Sequence, residues 1–171
     1  GIYVVEVAAN GGLNLDGITD MPRSGQAIMV GAGDPKTGTV LLCSNRGARV
    51  DLQGWGGRVV TAGFPPEDGE FSTLQFRTDP NRCYTRTFSG TSSASAMVAG
   101  CVTVISGIVK AHGFDPLSQD EMKNLLIDTG TFKDRNANGG IGPLPNLRAA
   151  LEVLASNLKE KRPNFRGFKR V

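Results

Sequence analysis

The sequence predicts an α/β fold built on a mostly parallel sheet. Short apolar runs in the first half read as buried strands, one long apolar helix follows them, and two amphipathic helices close the chain. Residues 2–9 (IYVVEVAA) form a mostly apolar run of the kind covered on both faces of a sheet, ended by Asn10-Gly11-Gly12. A loop rich in Gly, Asn and Asp leads to a second buried strand at Ala27–Ala32. Val40–Ser44, Arg49–Leu52 and Val59–Ala62 read as further short strands, punctuated by Asp34-Pro35, Thr37-Gly38 and Pro65-Pro66. Phe71–Arg77 and Cys83–Phe88 alternate and flank Asp79-Pro80-Asn81, which predicts a hairpin.

Ser92 to about His112 is apolar on nearly every face, which predicts the central buried helix. Ser118-Gln119-Asp120-Glu121 is a capping box and opens a helix running to about Asp128. Asn146 caps a last helix from Leu147 to about Lys161, amphipathic through Leu151, Leu154 and Leu158.

With 171 residues and 39% hydrophobic content, the chain can bury one ordinary core. No run of about 20 uninterrupted apolar residues predicts a membrane span. The first residues open directly on an apolar strand, so the expectation is a chain cut from a larger precursor. The net charge of +3 is concentrated at one end, since Leu158 to Val171 carries six Lys/Arg and one Glu. The remainder holds 13 basic and 15 acidic residues. Residues 1–157 therefore read as the folded unit and 158–171 as a basic, solvated tail, with no stacking aromatic array to suggest nucleic acid. The three cysteines leave at least one unpaired; Cys101 reads as a buried small hydrophobe, while Cys43 and Cys83 could pair with each other or Cys83 with a partner chain.

The chemistry concentrates at residues 88–100, Phe-Ser-Gly-Thr-Ser-Ser-Ala-Ser-Ala-Met-Val-Ala-Gly. A glycine turn running into an apolar helix sets the Ser92 hydroxyl beside the first helical turn. There, unpaired N–H groups and the positive end of the dipole favour a developing negative charge. Ser93 and Ser95 are the competing hydroxyls and read as structural.

Gly90-Thr91-Ser92 with its small neighbours and Val98-Ala99-Gly100 resembles the nucleophile signature of the subtilisin-like serine proteases. Val4–Gly11 resembles that family's strand ending in the oxyanion Asn, here Asn10. Residues 50–56 (VDLQGWG) resemble the intervening strand and turn, and residues 145–151 the closing helix. The resemblance covers roughly residues 1–155. It implies a three-layer α/β/α subtilisin-like fold that is incomplete in this chain, and peptide-bond hydrolysis with no required cofactor. It implies that Ser92 attacks the scissile carbonyl while the Ser92 N–H and the Asn10 amide hold the oxyanion. Ala8, Ala9, Gly11 and Thr91 would then lie along the substrate, and structural calcium is compatible, although no ligands can be placed. A secreted or periplasmic setting also follows from it. Two positions depart from the family: Ala9 stands where Gly is usual before the Asn, and Ala96 where Pro is usual. Ala9 would narrow the primary specificity pocket slightly.

Half of the catalytic set is missing. The family order is Asp, His, Ser, yet no histidine precedes Ser92. His112 lies about 20 residues further along the same helix, roughly 30 Å away at 1.5 Å per residue, and reads as a helix C-terminal residue. Asp16, Asp20 and Asp51 follow Asn10, whereas the family's Asp and His both come before it. Three explanations stand: a C-terminal fragment still bound to an N-terminal fragment carrying Asp and His, a subunit made separately from such a partner, or a non-catalytic binding or scaffold module. Retention of both Ser92 and Asn10 argues against the last.

Two further features have plainer explanations. Asp134-x-Asn136-x-Asn138-Gly139 imitates the start of an EF-hand loop, but Pro145 occupies the twelfth position, so Asx-turn chemistry accounts for it better. One His and three dispersed Cys offer no zinc spacing. Trp55, flanked by Gly54 and Gly56, is expected to pack, or else to line a surface loop near the substrate.

Overall fold

The computed structural model describes residues 1–18, 27–63 and 83–161, with side chains to Lys159. Three parallel strands form the sheet in the order β1 (Val5–Val7), β2 (Ile28–Gly33), β3 (Leu52–Trp55). The register pairs Glu6 with Met29 and Gly31 with Gln53. A separate antiparallel pair joins β4 (Val59–Ala62) to β5 (Tyr84–Phe88). The helices are α1 (Thr91–Ala111), α2 (Gln119–Thr129), the short α3 (Arg135–Asn138) and α4 (Leu147–Lys161).

One face of the sheet carries the main core. Ile28, Val30, Ala32 and Leu52 pack against Ala94, Val98, Val102, Ile105 and Val109 of α1, with Met122 and Leu126 of α2 and Ala150, Leu154 and Leu158 of α4 behind. β2 is buried along its whole length, as expected for the middle strand of a parallel sheet. The opposite face is covered by a smaller cluster of Ala8, Leu15, Met29, Val50 and Ile141. Among the described residues that second face carries loops and α3. By length and hydropathy α1 could cross a membrane, contrary to the sequence expectation. Its contacts with all three sheet strands make it the core helix instead.

Helix positions agree closely with the sequence. The Ser118–Glu121 capping box forms in both directions, at 3.2 and 2.7 Å. Asn146 Oδ1 accepts from the Ala149 N–H at 3.1 Å.

The strands needed more correction. Residues 2–9 yield only Val5–Val7; just before it the Val4 N–H is taken by Gln119 Oε1 at 3.0 Å, while the Val4 carbonyl accepts from both Gln119 Nε2 at 2.8 Å and the Ile28 N–H at 3.0 Å. Val40–Ser44 is a turn: Leu41 N–H and Ser44 Oγ bond the end of β2, and the Cys43 carbonyl bonds Gly12. The strand expected at Arg49–Leu52 begins only at Leu52. Its interior holds a buried Gln53, satisfied by the Gly142 carbonyl at 2.8 Å, and Gly54, where α1 comes so close that a Cβ would lie 2.4 Å from the Ala94 carbonyl oxygen. A buried amide and a glycine hid the strand from apolar patterning. β5 pairs with β4; the predicted partner at Phe71–Arg77 lies outside the described residues. No disulfide joins Cys43 to Cys83: Cys43 is an exposed thiol, whereas Cys83 is buried.

Candidate active site

The site lies at the carboxyl end of the parallel strands, where ligands gather in open α/β sheets. Three elements meet there. The chain leaves β1 and reaches Asn10; β3 runs out into Gly56; and α1 begins at Thr91. The Gly56 carbonyl accepts from the Gly90 N–H at 2.9 Å, tying the start of α1 to the end of β3. Gly90 caps α1 with φ 90° and ψ 179°, a conformation glycine adopts without steric cost. A Cβ on it would lie 3.2 Å from both terminal atoms of the Asn10 amide, so glycine also lets that amide come close.

Asn10 is the centre of the arrangement. Its Oδ1 accepts from the Thr91 N–H at 3.0 Å and from the Thr91 hydroxyl at 3.1 Å, across 81 residues of sequence. A backbone N–H can only donate, so the oxygen must face Thr91 and the Nδ2 donors must face away. The amide is thereby oriented by the helix it serves. Ser92, one residue further, is exposed at the second helical position. Its N–H has no intrahelical acceptor, as for any residue in a first turn, and α1 has no side-chain cap. A hydroxyl, a free N–H and an oriented amide thus share one helix terminus.

The strand-to-Asn10 segment is braced by a residue that sequence reasoning missed. Asn45 donates its N–H to the Ala9 carbonyl at 3.0 Å, and its Oδ1 accepts from Gly11 and Leu13 at 3.1 and 2.9 Å. An asparagine 35 positions beyond Asn10 gives no local signal of such a role. Ala8 is buried and bonded to the Val30 carbonyl at 2.8 Å. Ala9 takes φ 70°, a left-handed conformation that explains why glycine would suit this position.

The other hydroxyls and titratable groups fall into structural roles. Ser95 Oγ donates to the Ser92 carbonyl at 3.1 Å. Ser93 is buried and its hydroxyl has no partner among the described residues. His112 caps α1, with Nδ1 2.9 Å from the Ile108 carbonyl. Asp16 and Asp51 accept from the Ala48 and Met29 N–H groups at 2.7 and 2.8 Å; Asp20 lies outside the described residues. Burial pushes the Cys101 thiol up, away from the reactive thiolate. Asp134 Oδ1 accepts from Asn136 and Ala137 as the cap of α3, and the buried Asn138 bonds four backbone groups, so the EF-hand imitation is a capped turn. Among the described residues no group of three or more His, Cys, Asp and Glu is placed to hold a metal. Trp55 is about half-exposed.

A serine at the start of a buried helix, over the carboxyl end of a parallel sheet and beside an oriented amide, brings a hydroxyl and hydrogen-bond donors to one place. The model of the subtilase family matches residues 2–159, and the chain belongs to that family. Its fold is subtilisin-like. The prenylagaramide maturation protease PagA superposes with a TM-score of 0.66 at 19% identity, covering 91% of this chain and 51% of that one. The self-cleaved protease domain of PatA gives 0.64 at 22% identity, with 91% and 51% covered. A lanthipeptide protease gives 0.67 at 20% identity, with 90% and 51% covered. The chain therefore spans about half the length of these structures. No curated protein sequence matches it.

Proposed function

We propose that this chain is the nucleophile-bearing part of a subtilisin-like serine endopeptidase, completed by an N-terminal fragment of the same precursor that supplies Asp and His. The observation that carries the reading is the double hydrogen bond from Thr91 to Asn10 Oδ1, because it leaves the amide donors free beside Ser92.

In this reading the Ser92 hydroxyl is a weak nucleophile until the partner's histidine takes its proton. Ser92 Oγ then bonds to the scissile carbonyl carbon, and the carbonyl π pair moves onto oxygen. The Ser92 N–H and Asn10 Nδ2 donate to that oxyanion. Collapse of the intermediate breaks the C–N bond, and the amine leaves with the proton held by histidine. Water, deprotonated by the same histidine, hydrolyses the acyl-enzyme. The Asp orients the histidine and stabilises its charged form. Alone, the chain has no base and is inactive.

A fluorophosphonate probe tests this. Labelling of Ser92 is expected only when the N-terminal fragment is present, and Ser92→Ala should remove it. A reassembled pair that takes up no probe would refute the reading and leave a non-catalytic binding or scaffold module.

A further inference from the structure

Among the described residues, three that are not glycine hold a left-handed backbone: Ala9 at φ 70°, Arg58 at φ 57° and Phe132 at φ 56°. That conformation strains any residue with a Cβ and persists only where the surroundings enforce it. Arg58 is held through its guanidinium, which donates to Asp34 Oδ2 at 2.9 Å, and Phe132 through its ring, which lies against Gly38. Ala9 has only an exposed methyl group, so its restraint must act through the backbone. The turn it makes is the last one before Asn10. It therefore decides in which direction the chain carries the Asn10 amide away from β1.

The restraint is the buried Asn45. Its N–H donates to the Ala9 carbonyl at 3.0 Å, on one side of Asn10. Its Oδ1 accepts from the Gly11 and Leu13 N–H groups at 3.1 and 2.9 Å, on the other. The chain is thus gripped before and after Asn10, and the Asn10 side chain is left to Thr91. The fit is close, since a Cβ on Gly11 would lie 2.9 Å from Asn45 Oδ1. Asn45 is in turn tied to the sheet. The fully buried Ser44 Oγ donates to the Asn45 carbonyl at 2.8 Å and accepts from the Ala32 N–H of β2 at 2.9 Å. A continuous run of hydrogen bonds therefore joins the middle strand to the turn at Ala9.

We propose that Asn45 is the positioning residue of the oxyanion donor. Anchored by Ser44, it keeps Ala9 in its left-handed turn and so sets where the Asn10 amide stands relative to Ser92. The inference rests on the proposed function, which supplies the oxyanion. Among the described residues the Asn45 bonds reach residues 9, 11, 13 and 44, and neither Asn10 nor Ser92, so any effect of Asn45 on the chemistry passes through Asn10. Strain at Ala9 and the clamp at Asn45 are two halves of one device: the first is tolerated because the second is present.

The test uses the uncut precursor, with active sites counted by fluorophosphonate titration. Asn45→Ala removes two of the three bonds that grip the turn. Its kcat per active site should fall about tenfold, the factor that corresponds to the strain of one left-handed alanine, with KM within about twofold of the parent. In an Asn10→Ala chain the same substitution should leave the residual kcat unchanged, because the group that Asn45 positions is gone. In an Ala9→Gly chain it should cost less than in the parent, since glycine takes the left-handed turn unaided. Ser44→Ala keeps the Asn45 side chain and loosens its anchor. It serves if Asn45→Ala does not fold, with a smaller loss of kcat expected and again none in the Asn10→Ala chain. Equal losses with and without the Asn10 amide, or no loss in the parent, overturn the role of Asn45 and leave the protease reading standing. A precursor that takes up no fluorophosphonate overturns both.

Discussion

The N-termini of α1 and α2 solve the same problem in opposite ways. α2 closes its orphan N–H groups locally, with Ser118 and Glu121 bonding each other's backbone and Asp120 and Glu121 placing negative charge at the positive end of the dipole. α1 begins on a glycine with no side-chain cap and no acidic residue in its first turn. Its first N–H is satisfied by Asn10, 81 positions earlier in the chain, and its second has no bond among the described residues. A local cap contributes about 1 kcal/mol of stability. α1 forgoes that contribution, and an anion can bind where the cap would have been. One helix end is closed by its own residues; the other is the end at which the proposed chemistry would take place.

Variants at the two ends should separate these roles. The largest effect is expected from Asn10→Ala in the completed enzyme. kcat should fall by about 10²–10³, the loss characteristic of one oxyanion donor; this magnitude is that of subtilisin itself and is taken over from it. Burst and steady-state kinetics check it, and an unchanged kcat would mean that the amide faces no developing charge. Thr91→Ala removes one of the two donors to Asn10 Oδ1. A net hydrogen bond of about 1 kcal/mol corresponds to roughly a fivefold lower kcat with KM held, and Thr91→Ser should restore it. A parallel loss in KM would instead indicate general loosening of the turn.

At the other helix the expected effects concern stability alone. Ser118→Ala should cost about 1 kcal/mol in denaturant unfolding and leave the rate of Ser92 labelling unchanged. If labelling slows as well, the two helix ends are coupled. The smallest effect is expected from Ala9→Gly. Relief of the left-handed conformation is partly offset by the entropy glycine adds to the unfolded chain, for a net gain below about 1 kcal/mol, read from the same unfolding curves.

The helices were legible in the sequence because their signals are local. Capping residues lie within four positions of the groups they bond, and the apolar spacing of α4 repeats every turn. Strand limits were less legible. β3 contains a buried glutamine and a glycine whose reasons are the Gly142 carbonyl and the Ala94 backbone, both far along the chain. The candidate site divides in the same way. Ser92, Asn10 and Thr91 stood out in the sequence, but Asn45 did not, since its acceptors and donors become neighbours only after the loops fold together. Cys43 and Cys83, one exposed and one buried and not joined by a disulfide, make the same point, because spacing alone does not bring two sulfurs together.

By itself the sequence determined the α/β class, the positions of the main helices, the serine at the head of the longest one and the absence of a histidine before it. These depend on residue type and short spacing. Tertiary structure alone decided which way the Asn10 amide points and what holds the loop behind it. Those outcomes depend on hydrogen bonds and contacts between residues tens of positions apart, and such pairings exist only once the chain has closed around its core.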